Sequence, residues 1–587
     1  MESFLGEVAA DLYARYGEEL SQRAVLFPSR RARLFFTDAL ARIARRPMWQ
    51  PSWTTIDELM SEISGLRTGD RLRLITELYG IYSEYHAEPF DKFYFWGDML
   101  LADFDTIDKY RIDAAMLFRN NEEIREIEAD ISYLTPAQLR IVAFWSSLGA
   151  EADFSEEKRR FLAIWRTLGP VYRRFRERLS ELGIAYGGMV QRAAADRLRS
   201  GEFAFSTPRR FVVAGFNALS ECEKELFRFL SSAAETDFYW DYDSYYKDDP
   251  EQEAGMFVRE NVVRFPPRAE LSHDGMSRPK ELTSVAAVSN AVQCKYVATI
   301  LRGLAAGGRL GKETAVVLTD ENLLLPLLCA MPPEVGPVNV TMGYPLRASL
   351  AYTFVERLVE LQARRRTKGA DCTFYHADVT GLLAHPYVAG CDAELTRRLQ
   401  EEIMRERRIS VEASWLGRND LLRLVFSPAA GWRALSAWLS EVVAAVVRIP
   451  CPDDDARRRT EFLAVIAGEI ARLGNSLDEC GIEPAPEVYA SLLRRHLQTL
   501  RIPYEGEPLE GVQVMGILET RNLDFENVVI LSMNDDNFPG NRMAQAPFIP
   551  YNLRAAYSLP TPEHHEGVYA YYFYRLVPRA RRVWMIS

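Results

Sequence analysis

The stretch Gly511-Val-Gln-Val-Met-Gly-Ile-Leu-Glu-Thr-Arg-Asn-Leu-Asp-Phe-Glu-Asn-Val-Val-Ile-Leu-Ser-Met-Asn-Asp-Asp-Asn-Phe-Pro-Gly540 determines how the remainder of this chain is read. Two apolar, β-prone runs, Val512 to Leu518 and Val528 to Met533, flank a polar link that carries Glu519, Thr520 and Arg521. Apolar runs without alternation are expected of strands buried on both faces of a sheet. A buried strand pair joined by a charged loop suits the edge of an α/β domain that handles nucleotides or nucleic acid.

Similar patterns recur on either side. Phe4, Leu5, Val8, Leu12 and Tyr16 form the apolar stripe of a helix over 4–16. A short strand over 24–28 runs into Ser29-Arg30-Arg31 and a helix from Ala32 to about Arg45. A hydroxyl and two arginines at a helix start suit a phosphate group, because N–H groups and guanidinium forks converge there; a solvated loop with an N-capping serine is the alternative. Residues 55–200 read as helical. Within them Asp105 and Asp108 are three apart on one face, the pattern of an exposed acidic face, with a metal site as the alternative although no His or Cys is close. Arg173, Arg174, Arg176 and Arg178 suggest a solvated face. Phe211 to Ser220, a helix from Glu221 and a strand over 237–241 have the spacing of a parallel βαβ unit. A polar linker with one short helix follows over 244–280. Strands are then expected over 284–289, 314–320 and 338–341, and a second helical stretch over 350–500. The C-terminal α/β series ends with a helix over 569–578 and a strand over 583–586.

The chain has 587 residues, 48% hydrophobic and 26% charged, and a net charge of -11. That length calls for three to five domains or subdomains. Apolar runs stop at about six to eight residues, too short to cross a bilayer. The N-terminus lacks the basic and apolar regions of a signal peptide. Seven scattered cysteines without a CxxC pair are expected to be reduced, in a cytoplasmic protein. The acidic balance argues against a large nucleic-acid footprint but leaves room for a local basic groove. The fold expected is α/β, with two parallel-sheet domains, each interrupted by a helical insertion. The first sheet domain comprises 1–54 and 201–280, with 55–200 inserted. The second comprises 281–349 and 505–587, with 350–504 inserted.

This plan resembles superfamily-1 DNA helicases of the UvrD/RecB type, with two RecA-like domains. Their strand, Lys-Gly-Leu-Glu-Phe loop, strand and Phe-Pro turn are echoed by Arg521-Asn522-Leu523-Asp524-Phe525 and Phe538-Pro539. A motor of this type needs a Gly-rich loop ending Gly-Lys-Thr/Ser, a strand ending Asp-Glu and a late arginine. Gly311-Lys312-Glu313-Thr314 precedes a strand instead of following one and reads as a turn. The first-domain strand ends Val213-Ala214-Gly215-Phe216, without a carboxylate. Only Arg579, in Tyr574-Arg575-Leu576-Val577-Pro578-Arg579-Ala580, matches, as a vestigial nucleotide-site arginine. ATP and Mg²⁺ are therefore not expected as cofactors.

The chain is similar to the inactivated helicase-like subunits RecC and AddB. It is closer still to the N-terminal part of the Bacteroidetes-type proteins called PD-(D/E)XK nuclease family proteins. The matching strings are Phe27-Pro28-Ser29-Arg30-Arg31, Phe95-Trp96-Gly97, Asp103-Phe104 with Asp108-Lys109-Tyr110, Asn339 to Leu346, Leu518 to Arg521 with Leu523-Asp524-Phe525, and Phe573 to Leu576. The resemblance implies a C-terminal nuclease domain, expected to be missing from this chain, which ends at Ser587 without a nuclease pattern or an iron–sulfur cysteine cluster. A metal ion is expected only for that domain. The resemblance further implies a DNA-binding scaffold for double-strand-break resection, without activity of its own. It would bind single-stranded DNA or a duplex end beside a RecB/AddA-like motor subunit, through Ser29, Arg30, Arg31, Thr341, Tyr344, Thr520 and Arg521. An ATP-dependent helicase with divergent motifs, or a protein-interaction subunit that docks a motor, are the alternatives.

Overall fold

Short β-branched runs bounded by turn residues make the strands of two parallel sheets. The computed structural model describes residues 3–118, 156–205, 209–269, 271–368, 371–449, 455–503, 509–540 and 547–587. Cys451 and the 119–155 part of the expected helical block lie outside them. The first sheet holds β1 (Arg23–Leu26), β2 (Ser52–Thr54), β3 (Arg210–Ala214) and β4 (Glu235–Tyr239), in the order β2-β1-β3-β4. The second holds β5 (Glu281–Val285), β6 (Thr314–Leu318), β7 (Val338–Val340), β8 (Val512–Gly516), β9 (Asn527–Leu531) and β10 (Arg582–Ile586), in the order β5-β10-β9-β6-β8-β7. Every pairing in both sheets is parallel. The chain is thus α/β with a four-stranded and a six-stranded parallel sheet. Among the described residues, no helix is long and apolar enough to cross a membrane.

The sequence anticipates nine of these strands to within a few residues. β2 escapes it, because three residues after Pro51 carry too little periodicity. A second difference concerns the decisive stretch. β8 and β9 are not hydrogen-bonded to each other, since β6 lies between them. Two parallel strands cannot be joined as a hairpin, so the link over 517–526 must return across the sheet.

Contact density divides the chain into two compact units. One contains 1–74, 96–342 and 505–587, and therefore both sheets; the other contains 75–95 and 343–504. This partition assigns 75–95 away from the rest of the expected 55–200 insertion. Within the first unit a single apolar core runs through both sheets. Val25, Val212 and Tyr239 of the first belong to it together with Val317, Met515 and Ile530 of the second. Helices α1 (Phe4–Tyr16) and α2 (Arg30–Ile43) contribute Leu12 and Phe36 to the same core. The second unit is mostly helical, with one three-stranded antiparallel sheet, 366–368, 371–375 and 410–412.

The acidic pair near the end of the helix Phe90–Lys109 is not an exposed face. Asp108 is fully buried and accepts hydrogen bonds from the Tyr172 and Tyr186 hydroxyls, each at 2.5 Å, and from Arg176 and Arg192, each at 3.2 Å. Asp105 pairs with Lys109 at 2.7 Å and accepts the Gly188 N–H at 2.6 Å. Periodicity places these carboxylates on one face; only packing reveals that the face points inward. Arg176 is correspondingly drawn from its solvated face to Asp108. Lys312, in the discarded Gly-Lys pair, reaches Asp38 at 3.1 Å.

Candidate nucleic-acid interface

A cleft of about 470 Å³ opens at the carboxyl ends of β2, β1 and β3. After β1 the chain crosses through α2 to β2 on one side. After β3 it crosses through the helix Glu221–Ala233, α3, to β4 on the other. Right-handed crossovers in opposite directions place the two helices on opposite faces and leave a crevice between the β1 and β3 ends, the usual ligand position in an open parallel sheet.

Three helices begin beside it. Ser29 caps α2, its hydroxyl accepting the Ala32 N–H at 3.2 Å. Thr55 caps the helix Ile56–Ser64, and Ser220 caps α3, each in a capping box with the glutamate three residues on. Helix N-termini attract anions. Glu58 and Glu223 offset part of that field, but both are bonded to backbone, to the N–H groups of Thr55 at 2.9 Å and Ser220 at 2.7 Å. Burial raises the Glu223 carboxyl above its ordinary value, while the Ser220 N–H and hydroxyl oppose the shift.

Two expected arginines border this cleft. Arg30 has a side chain 80% exposed, 3.8 Å from Glu58. Arg521 donates through Nε to the Leu518 carbonyl at 3.0 Å and lies near Tyr572. Arg31 points elsewhere. It is half-buried near Glu519, and burial lowers its pKa while Glu519 opposes the shift. Arg31 Nη1 and Glu519 Oε2 are both buried without a hydrogen-bond partner.

The remaining expected contacts are not brought to the cleft. Thr520 is fully buried, and its hydroxyl donates to the Ile517 carbonyl at 2.6 Å, so a strand of DNA has no access to it. The 3-10 turn over Ile517–Thr520 rotates it inward. Thr341 donates its N–H to Val514 O, and its hydroxyl is buried. Tyr344 belongs to the other compact unit, where it packs on Phe462 at 5.2 Å and donates to the Ala348 carbonyl at 3.1 Å.

Arg579 is held by protein carboxylates. It reaches Asp241 at 2.9 Å and Asp524 at 3.8 Å. Sequence reasoning overlooked its neighbour Arg575, on the helix Pro562–Leu576, α4. Arg575 binds Asp241 at 2.5 Å, Asp524 at 2.6 Å and the Thr520 carbonyl at 2.9 Å, and also donates to the Leu523 carbonyl. Asp524 in turn accepts the Phe4 N–H at 2.7 Å. Burial alone would raise the Asp241 carboxyl, but Arg575 and Arg579 outweigh it and hold the group below its ordinary value. This lattice shapes the 520–524 loop that carries Arg521. The available signal was a lone arginine on the tyrosine-rich buried stripe of α4, at helical spacing from Tyr571 and Tyr572.

Asn522 sits at φ 63 and donates through Nδ2 to the Gly215 carbonyl at 3.1 Å, joining the two sheets' loops. Gly215 itself has φ +76, and a Cβ there would lie 1.4 Å from Asn522 Nδ2. Among the described residues no group of three or more His, Cys, Asp or Glu is placed to hold a metal ion. No protein-family model matches the chain, and no curated protein matches it.

Proposed function

We propose that this chain is a helicase-like scaffold, built on two RecA-like domains, that holds single-stranded DNA without driving it. The observation that carries this reading is the cleft at the β1 and β3 carboxyl ends, where Arg30 and Arg521 border a site at which three helices begin. Guanidinium groups beside helix N-termini suit phosphodiester oxygens. Arg579, the counterpart of a motor's triphosphate-sensing arginine under the resemblance, is engaged by Asp241 and Asp524 instead. Ala214-Gly215-Phe216 stand where a motor would carry its magnesium-binding carboxylates. A strand held in this way would pass to a nuclease domain or to a RecB/AddA-like motor subunit.

The test is anisotropy titration of the chain with labelled single-stranded oligonucleotide over a range of salt. A log-log slope of about -0.7 per phosphate contacted is expected, and the double variant Arg30→Ala/Arg521→Ala should flatten it by roughly one to two units. Absence of binding at low salt, or a slope unaffected by the double variant, overturns the reading. DNA-stimulated phosphate release from ATP would favour a motor with divergent motifs.

A further inference from the structure

The mostly helical unit carries an open groove of about 640 Å³ between the helices His376–Leu383 and Ala393–Arg405 and the start of the strand Ser410–Glu412. Three hydrogen bonds tie these elements together around it. The His376 N–H donates to the Ile409 carbonyl at 3.1 Å, the Arg408 N–H to the Ile403 carbonyl at 3.1 Å, and Gln400 Nε2 to the Thr380 carbonyl at 3.3 Å. The wall is apolar, formed by Ala384, Ile403, Met404 and Ile409. Met404 is 66% exposed and Ile409 72% exposed. Scattered exposed apolar residues are ordinary, but two lining one concavity mark a contact surface, and methionine adapts to its partner. The rim is cationic. Arg407 and Arg408 line the groove, and no carboxylate does so among the described residues. Glu406 pairs with Arg405 at 3.6 Å and Arg408 at 2.7 Å, so the run 405–408 holds three arginines against one glutamate. The exposed Arg407 side chain has no hydrogen bond or ion pair among the described residues. Its backbone sits at φ 50, just past the end of the helix Ala393–Arg405, where glycine is favoured and a side chain is strained. Strain of this kind persists where a side chain is needed for function.

We infer that this groove docks an acidic peptide of a partner protein, anchored by an apolar side chain. The anchor packs among Ala384, Ile403, Met404 and Ile409, and flanking carboxylates pair with Arg407 and Arg408. Charge complementarity sets the sign of the occupant: the groove is locally cationic, whereas the chain's net charge of -11 disfavours an acidic peptide elsewhere on its surface. The apolar wall sets its class. Nucleobases are held on aromatic platforms, and among the described residues no Phe, Tyr or Trp lines this groove. The inference does not depend on the proposed binding of DNA.

The experiment is anisotropy titration of the full chain with fluorescein-labelled Asp-Glu-Asp-Leu-Leu-Asp-Glu-Leu and two controls. In one control each acid is replaced by its amide, and in the other each leucine by serine. The acidic peptide should bind with a Kd of about 10–100 μM, and each control about tenfold more weakly. Arg407→Gly should weaken the acidic peptide about fivefold while the unfolding midpoint holds or rises, because glycine relieves the left-handed backbone. Ile409→Ser, at an exposed position, should weaken it by about the same factor without loss of stability. Equal binding of the amide control, an affinity that neither substitution changes, or no saturable signal up to about 1 mM overturns the inference. A dimer in sedimentation velocity that Ile409→Ser dissolves overturns it in favour of a second copy of the chain. Competitive displacement of the peptide by dT12 overturns it in favour of nucleic acid.

Discussion

Gly215 combines a left-handed backbone with a neighbour that leaves no room for a side chain. Gly215→Ala should therefore lose roughly 2–5 kcal/mol of stability, the sum of left-handed strain and overpacking. A loss below about 1 kcal/mol in urea unfolding would contradict that close approach. Arg575 poses the opposite problem, a buried charge with each of its guanidinium nitrogens hydrogen-bonded. Arg575→Met leaves Asp241 and Asp524 without their main partner and should cost about 3–5 kcal/mol. Arg575→Lys should recover little, since an ammonium group cannot reproduce the planar fork; full recovery by lysine would show that charge alone suffices. In the other compact unit, burial and the nearby Arg357 push His385 down to about 4 from 6.5, while its ring accepts the Tyr387 N–H. Above pH 6.5 the imidazole is neutral in both folded and unfolded chains. As pH falls from 6.5 toward 4, the unfolded chain takes up a proton that the folded chain refuses, and stability declines by about 3 kcal/mol. His385→Asn preserves a capping side chain and should remove that part of the pH dependence. An unchanged profile of unfolding midpoint against pH would exclude His385 as its source.

At the scale of elements, the cleft depends on where helices start. Ser29 satisfies an N–H at the head of α2, and its position at a strand-to-helix turn could be read from Phe27-Pro28-Ser29-Arg30-Arg31. Ser29→Ala should cost about 1 kcal/mol and Ser29→Gly only a few tenths, measured by thermal unfolding. The reverse order would mean that the hydroxyl is not acting as a cap. Arg30 and Arg31 were equivalent in the sequence, yet successive helical positions diverge by about 100°, so one faces the cleft and the other goes under the 516–521 turn. The same turn separates Thr520 from Arg521. Adjacent residues in a loop have no fixed common face, and their division into buried and exposed depends on what packs above them.

Across the whole first unit, the shared core implies that the two sheets unfold together. Hydrogen exchange of amides in β3 and β9 should converge on one opening free energy as urea is raised, because Val212, Ala214, Val528 and Ile530 belong to the same core. Two separate isotherms would mean that each sheet is an independent folding unit. The strands, the parallel βαβ unit and the caps were legible beforehand, because hydrophobic runs, periodicity and capping residues act within a few positions of one another. Arg30 and Arg521, which border the cleft, were singled out through the resemblance of their motifs, and Arg31, Thr341, Tyr344 and Thr520, singled out with them, lie elsewhere. Other features arise only when distant segments meet: Arg575 with Asp241 across 334 residues, and Asn522 with Gly215 across 307. No local pattern specifies such pairings, because each group satisfies ordinary surface chemistry until burial removes its water and leaves the partner as its remaining source of hydrogen bonds.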